Sequence, residues 1–235
     1  SVLDGLGAGG LAAFQTGSPY DDFTSKYDDD NVSGTLSLNY LVNDELSVYT
    51  RFAQGYKSGG INMDRSAAGQ APGAPTPTPD ATLFDPELVE SFEIGFKSRL
   101  FDNTLQLNGA VFYQELEDFQ QNSFDGLNFS VRNAATVTGQ GLELDYMFAP
   151  NEHWLFSGGI TLQEVEYDKF TDASPTTWQS TATQDLSGKP VLFTSDTTLS
   201  GLISYTTPIN DSLKVTAATT YSYSSEYFTG QDNDP

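Results

Sequence analysis

Hydrophobic and polar residues alternate in several stretches of the chain, most clearly from Glu90 onward. There ESFEIGFKSRL, then FDN, then TLQLNGAVFY form two alternating runs joined by a turn only long enough for a hairpin. Phe92, Ile94, Phe96 and Leu100 share one face of the first run, and Glu93, Lys97 and Arg99 share the other. In the second run Leu105, Leu107, Val111 and Tyr113 oppose Gln106, Asn108 and Gln114. Period-two alternation on both sides of an Asp-Asn turn predicts a β-hairpin. Its apolar face carries large side chains and no charge, while its other face carries both signs. Such a strand suits a wall between hydrocarbon and water.

Three further hairpins follow the same rule. Val32, Leu36, Leu38, Tyr40 and Val42 oppose Ser33, Thr35, Ser37 and Asn39, and after Asn43-Asp44 the chain returns with Leu46, Val48 and Phe52 against Ser47, Tyr49 and Arg51. A strand over 139–148 pairs with one over 153–163 across a turn at 149–152, placing Leu142, Leu144, Tyr146 and Phe148 with Trp154, Phe156, Ile160 and Leu162. The last uses Leu199, Ile203 and Tyr205, turns over Pro208 to Asp211, and returns through Leu213, Val215, Ala217, Tyr221 and Tyr223. Between hairpins lie long irregular segments over 57–86, 115–130 and 168–190. The first holds Pro72, Pro75, Pro77 and Pro79, which favour extended, solvated chain. Residues 1–30 read as Gly-rich and then acidic loop, with a short strand remnant near Phe14.

The tight turns, near residues 44, 102, 151 and 210, fall at one end of the strands and the long loops at the other. That asymmetry characterises outer-membrane barrels, and strands of about ten residues at ~3.3 Å each, tilted near 45°, span their ~25 Å apolar band. The charged residues within the strands (Arg51, Glu93, Lys97, Arg99, Glu143, Asp145 and Lys214) all fall on the polar face. A basic side chain facing lipid at mid-bilayer costs about 2–4 kcal/mol, which accounts for the exclusion. Tyr40, Tyr56, Tyr113, Tyr146, Trp154 and Tyr205 sit near strand ends on the apolar face, as an interfacial aromatic girdle would; stacking on sugars is the alternative. The predicted fold is all-β, a transmembrane antiparallel up-and-down barrel. A soluble β-sandwich also alternates, but gives no reason to gather its long loops at one end.

Composition narrows the chemistry. No run of about 18 apolar residues occurs, so no transmembrane helix is expected, and SVLDGLGAGG lacks the basic start and apolar core of a signal peptide. The absence of cysteine among 235 residues excludes disulfides and thiol chemistry, and one histidine, His153, is too few for a His-rich metal site. Glu143 and Asp145 share the polar face of one strand without a base, nucleophile or cleft, so no catalytic residue, metal site or cofactor is expected and the chain is not read as an enzyme. A net charge of −22 disfavours nucleic acid. Its acidic clusters, at 21–22, 28–30, 115–118, 164–172 and 232–234, read as solvated loops, or as collectors of divalent cations at a cell surface.

RFAQGYKSGGIN (51–62), FDPELVESFEIGFKS (84–98), LQLNGAVFYQELEDFQ (105–120), VRNAATVTGQGLELD (131–145) and DLSGKPV (185–191) occur in the order seen in TonB-dependent outer-membrane receptors, and the chain resembles that family over about 30–225. The resemblance implies a Gram-negative outer-membrane barrel of about 22 strands with short periplasmic turns, long extracellular loops and an N-terminal plug. Residues 1–235 then supply about eight strands of it, without the plug or the closing strands. It also implies energised uptake of a scarce ligand, most often a ferric siderophore, otherwise cobalamin, haem or an oligosaccharide. The implied partners are outer-membrane lipid, a small-molecule ligand, and the TonB complex through an N-terminal region outside this chain.

On this reading Lys57, Ser58, Asn62 and Arg65, leaving a strand for the longest loop, are candidates for ligand contact. Arg132 and Asn133, at the return of the next loop, could meet a carboxylate or phosphate. Simple rim roles compete, since Gly55, Gly59 and Gly60 permit a bend there. Arg51, Glu93, Lys97, Arg99, Glu143 and Asp145 would line the lumen opposite the plug. A passive porin-type channel and a soluble β-sandwich binding module remain the alternatives.

Overall fold

The computed structural model describes residues 24–63, 78–124, 129–133, 136–171, 173 and 183–230. They form β1 (Gly34–Asn43), β2 (Leu46–Lys57), β3 (Gly60–Ile61), β4 (Leu83–Phe84), β5 (Glu87–Leu100), β6 (Leu105–Glu117), β7 (Gln120–Phe124), β8 (Phe129–Asn133), β9 (Val137–Phe148), β10 (Trp154–Tyr167), β11 (Thr197–Asn210) and β12 (Leu213–Ser224), with a 3-10 turn at Pro79–Thr82. The chain divides into two compact units: a larger one of residues 32–56, 88–119 and 134–235, and a smaller one of residues 1–31, 57–87 and 120–133.

The larger unit is built on one eight-stranded sheet, ordered β1-β2-β5-β6-β9-β10-β11-β12. Its eight strands lie in chain order, an up-and-down meander, while β3 with β4 and β7 with β8 form two separate two-stranded sheets. The register carries apolar residues across the sheet in rows. Ile94, Val111, Leu142 and Leu162 are successive partners, as are Phe96, Gly109, Leu144, Ile160, Leu199 and Tyr223. So are Leu100, Leu105, Phe148, Phe156 and Ile203. A slip of one residue in any of these rows would turn its apolar set to the other face; the register breaks fall beside tight turns, between Leu41 and Asn43 and between Pro208 and Asn210.

No second layer covers this apolar face among the described residues. Phe92, Ile94, Val111 and Ile203 remain 45%, 49%, 52% and 38% exposed. Side chains of this size leave water on folding, so a sheet that exposes rows of them is matched to an apolar surrounding. The buried hydrophobic cluster lies elsewhere: Val137, Tyr167, Phe170, Ala173, Leu186 and Val191 gather where β9 begins and β10 ends, away from the tight turns.

Asparagine opens three of those turns. Asn43 Oδ1 accepts the Glu45 N–H at 2.8 Å, Asn151 Oδ1 accepts the His153 and Trp154 N–H groups at 3.0 and 3.1 Å, and Asn210 Oδ1 accepts the Ser212 N–H at 2.9 Å. Each is a local side-chain turn that fixes where the strand reverses. The fourth, between β5 and β6, places Phe101, Asp102 and Asn103 at φ of 54°, 54° and 67°. Asp and Asn tolerate that left-handed region better than most residues.

The sequence pattern and the structure differ in places. The segment 115–130 is not wholly loop: β6 runs to Glu117, and β7 pairs with β8. Glu115 and Leu116 pair with Thr138 and Val137, so the backbone ladder outlasts the side-chain alternation. Within 57–86, β3 pairs with β4, and Pro79 starts the 3-10 turn. Pro208 lies inside β11, opposite Lys214 and next to a register irregularity, where a missing N–H is tolerated. The reversal itself comes later, at Asp211-Ser212. Phe14, Arg65, Pro72, Pro75, Pro77 and the acidic clusters at 21–22 and 232–234 lie outside the described residues.

Candidate functional site

The polar face of the sheet gathers the six wall residues named from sequence. Arg51 lies opposite Ser37, Glu93 opposite Phe112, Lys97 opposite Asn108, Arg99 opposite Gln106, and Glu143 and Asp145 opposite Ala110 and Asn108. Lys97, Asn108 and Asp145 thus form one row, in which Asn108 Nδ2 donates to Asp145 Oδ1 at 2.9 Å. Tyr49, which the alternation marks only as polar-face, organises the neighbouring patch. Its hydroxyl donates to Glu93 Oε1 at 2.5 Å, and Lys97 Nζ stands 5.6 Å from its ring centroid, a cation–π distance. The ring lies over Gly95, where an added Cβ would meet it at 2.6 Å, so this position takes glycine to seat an aromatic. Among the described residues none of the six forms an ion pair. Both signs of charge stay presented on the surface.

The smaller unit holds the five loop candidates that lie among the described residues, and a residue that pattern reading missed. Gln120 is 9% exposed, and its Nε2 donates to the carbonyls of Ser58 at 2.9 Å, Asp85 at 3.1 Å and Lys57 at 3.4 Å. Its backbone N–H donates to Glu87 Oε2 at 2.8 Å, and the same carboxylate stands 3.8 Å from Lys57 Nζ. No periodicity marks Gln120, because its partners lie 63, 62 and 35 positions away. Ser58 Oγ donates to Asp29 Oδ2 at 2.9 Å.

Asn62 and Asn133 act alike. Asn62 Nδ2 donates to Val131 O at 2.9 Å while its Oδ1 accepts the Val131 N–H at 2.7 Å. Asn133 Nδ2 donates to Asp85 O at 2.9 Å while its Oδ1 accepts the Asp85 N–H at 2.8 Å. Each carboxamide pairs with both polar groups of one residue, as a neighbouring strand would. Arg132, between Val131 and Asn133, is exposed and opposite Gln121. A cavity of about 430 Å³ is lined by Asn62, Leu83, Phe84, Val131, Arg132 and Asn133 among others.

The DLSGKPV segment, in the larger unit, is a docked turn. Leu186 and Val191 enter the buried cluster, and the N–H groups of Leu186 and Gly188 reach Phe170 O and Tyr167 O at 2.7 and 2.6 Å. Hydrogen bonds from the Ser187 hydroxyl and then its backbone N–H hold the Asp185 carboxyl below its ordinary range.

The described residues contain no group of His, Cys, Asp and Glu able to hold a metal ion. A family profile described as "TonB dependent receptor-like, beta-barrel" matches residues 10–235. The pesticin receptor of Yersinia pestis is 36% identical over 154 residues, covering 65% of this chain and 21% of the receptor. The crystal structure of the ferric yersiniabactin uptake receptor of Yersinia pestis superposes with a TM-score of 0.64 at 23% identity, over 87% of this chain and 27% of that one. The ferric preacinetobactin receptor of Acinetobacter baumannii gives 0.56 at 15% identity, over 86% and 26%. The chain thus spans about a fifth of the curated relative and about a quarter of each solved receptor.

Proposed function

The chain belongs to the TonB-dependent receptor-like β-barrel family, a family of receptors rather than enzymes, and on that premise we propose that it is a section of barrel wall from an outer-membrane receptor for TonB-energised uptake of a ferric siderophore. The plug and the remaining strands belong to parts of the protein outside this chain. The TonB complex acts through those parts, at the outer membrane of a Gram-negative cell. One observation carries the reading: rows of large apolar side chains lie in register on an uncovered face, and Arg51, Glu93, Lys97, Arg99, Glu143, Asp145 and Lys214 lie on the other. Lipid fits the first face and a wet lumen the second. Arg51, Glu93, Lys97, Arg99, Glu143 and Asp145 then face the plug, with Tyr49 holding Glu93 and Lys97 in place. Lys57, Ser58, Asn62, Arg132 and Asn133 are the candidates for ligand contact, and Asn62 and Asn133 shape the surface around them by clamping backbone. The choice of a ferric siderophore is supported by the receptors named as similar, two of which are described by the ferric complexes they take up or recognise.

The test is uptake of radiolabelled iron from a panel of ferric chelates. The full-length gene is expressed in a strain lacking its own receptors, with and without a working TonB system. Import of at least one chelate, abolished when TonB is removed, is expected. Import that persists without TonB would mean a passive channel, and no import of any chelate would remove the siderophore reading.

A further inference from the structure

Resting on the uptake reading above, we infer that Arg132 selects the ligand by charge, gripping a peripheral carboxylate of the ferric chelate from a segment clamped on both sides. The three residues 131–133 show how this is built. Val131 has both polar backbone groups held by the Asn62 carboxamide, so they point away from β7, and the Asn133 carboxamide is locked onto Asp85. Arg132 is therefore flanked on one side by a main chain and on the other by a side chain, each tied to a segment far away in sequence. Its own side chain is exposed at the wall of the 430 Å³ cavity, and it has no ion-pair partner among the described residues. Lys57, the other cation of the candidate set among the described residues, stands 3.8 Å from Glu87.

Arg132 is one of ten basic residues in a chain with thirty-two acidic ones, and among the described residues it is the exposed arginine that lines this cavity. The planar fork of its guanidinium matches a carboxylate with two parallel hydrogen bonds, which an ammonium cannot reproduce. Holding the backbone beforehand removes part of the ordering cost of binding. The two asparagines are thus positioning residues, and Arg132 is the residue that touches the ligand. The chemical class that fits is a ferric chelate bearing a free carboxylate at its edge.

The experiment uses full-length receptor in detergent micelles. The probes are paired ferric chelates that differ only in carrying a peripheral carboxylate or the corresponding carboxamide, drawn from those the receptor imports or built on their scaffolds. The carboxylate form is expected to bind wild type roughly ten- to hundredfold more tightly than the carboxamide. Arg132→Gln should erase that preference, and Arg132→Lys should keep part of it. Asn62→Ala and Asn133→Ala should weaken carboxylate binding in wild type but add nothing in the Arg132→Gln background. Equal binding of both probes by wild type, or an undiminished preference in Arg132→Gln, overturns the assignment while leaving siderophore uptake standing. Losses from the asparagine variants that simply add to that of Arg132→Gln overturn the positioning role. A receptor that imports no ferric chelate fails the uptake reading itself, and this assignment with it.

Discussion

Two adjacent positions on β10 give the sharpest test of which face meets lipid. Ile160 lies in the apolar row between Leu144 and Leu199, and Thr161 lies on the polar face between Glu143 and Thr198. From Trp154, near the tight turn, to Ile160 is a run of ~20 Å at ~3.4 Å per residue, or ~14 Å of depth at a tilt near 45°. Both positions therefore sit near the middle of a ~25 Å apolar band. Ile160→Arg places a guanidinium in hydrocarbon, at a cost of about 2–4 kcal/mol, a fall of roughly thirty- to a thousandfold in the folded-to-unfolded ratio. Thr161→Arg places the same group in the lumen beside Glu143, where a change within about 0.5 kcal/mol is expected. The assay is urea unfolding of the full-length receptor in lipid vesicles, followed by tryptophan fluorescence and by the shift between folded and unfolded bands on unheated gels. Equal stability of the two variants, or a Thr161 variant the weaker of the pair, would refute the assignment of faces.

Other substitutions probe the parts separately. An added Cβ at Gly158 would stand 2.4 Å from Ser200 O, so Gly158→Ala should force β10 and β11 apart and cost about 1–3 kcal/mol in the same unfolding assay. Gln120→Leu removes the donor shared by three carbonyls, and limited proteolysis should cut the smaller unit at least severalfold faster while the sheet stays intact. The Asp185 pKa is depressed, so the stability it contributes is present above the ordinary aspartate range and lost as pH falls through the depressed value. Carboxyl NMR titration should show that value rising toward ordinary in Ser187→Ala, and no rise would discount the Ser187 hydroxyl as its chief cause.

The hairpins were legible because each reports its own register. Ile94 and Val111 show a common face in the alternation before any partner is known, and one apolar surround suffices to select it. Strand ends were read less well. β6 runs on past Tyr113 because backbone pairing continues, with β9 to Leu116 and with β5 to Glu117, where Glu115 and Glu117 no longer fit the apolar alternation. Pro208 suggested a turn, yet proline is compatible with a strand beside a register break, and it is the Asn210 carboxamide that reverses the chain. The site was only half legible. Lys57 and Arg132 announce themselves by charge at loop entrances, whereas Gln120 and the two asparagine clamps depend on partners brought close only by the fold. Tyr49 was hidden for a different reason: an aromatic on the polar face counts against the pattern until Gly95 beneath it is seen.

Because the eight strands of the sheet lie in chain order, and because asparagine sets the reversal in three of the four tight connections, each hairpin carries its own alignment instructions. A wall made this way can be laid down two staves at a time. The second stave of one pair offers an open rung-line to the first stave of the next, and the long excursions between pairs need only be slack enough to let them meet. Mistakes in one pair would then be confined to it, since no distant segment has to arrive before its neighbours can close.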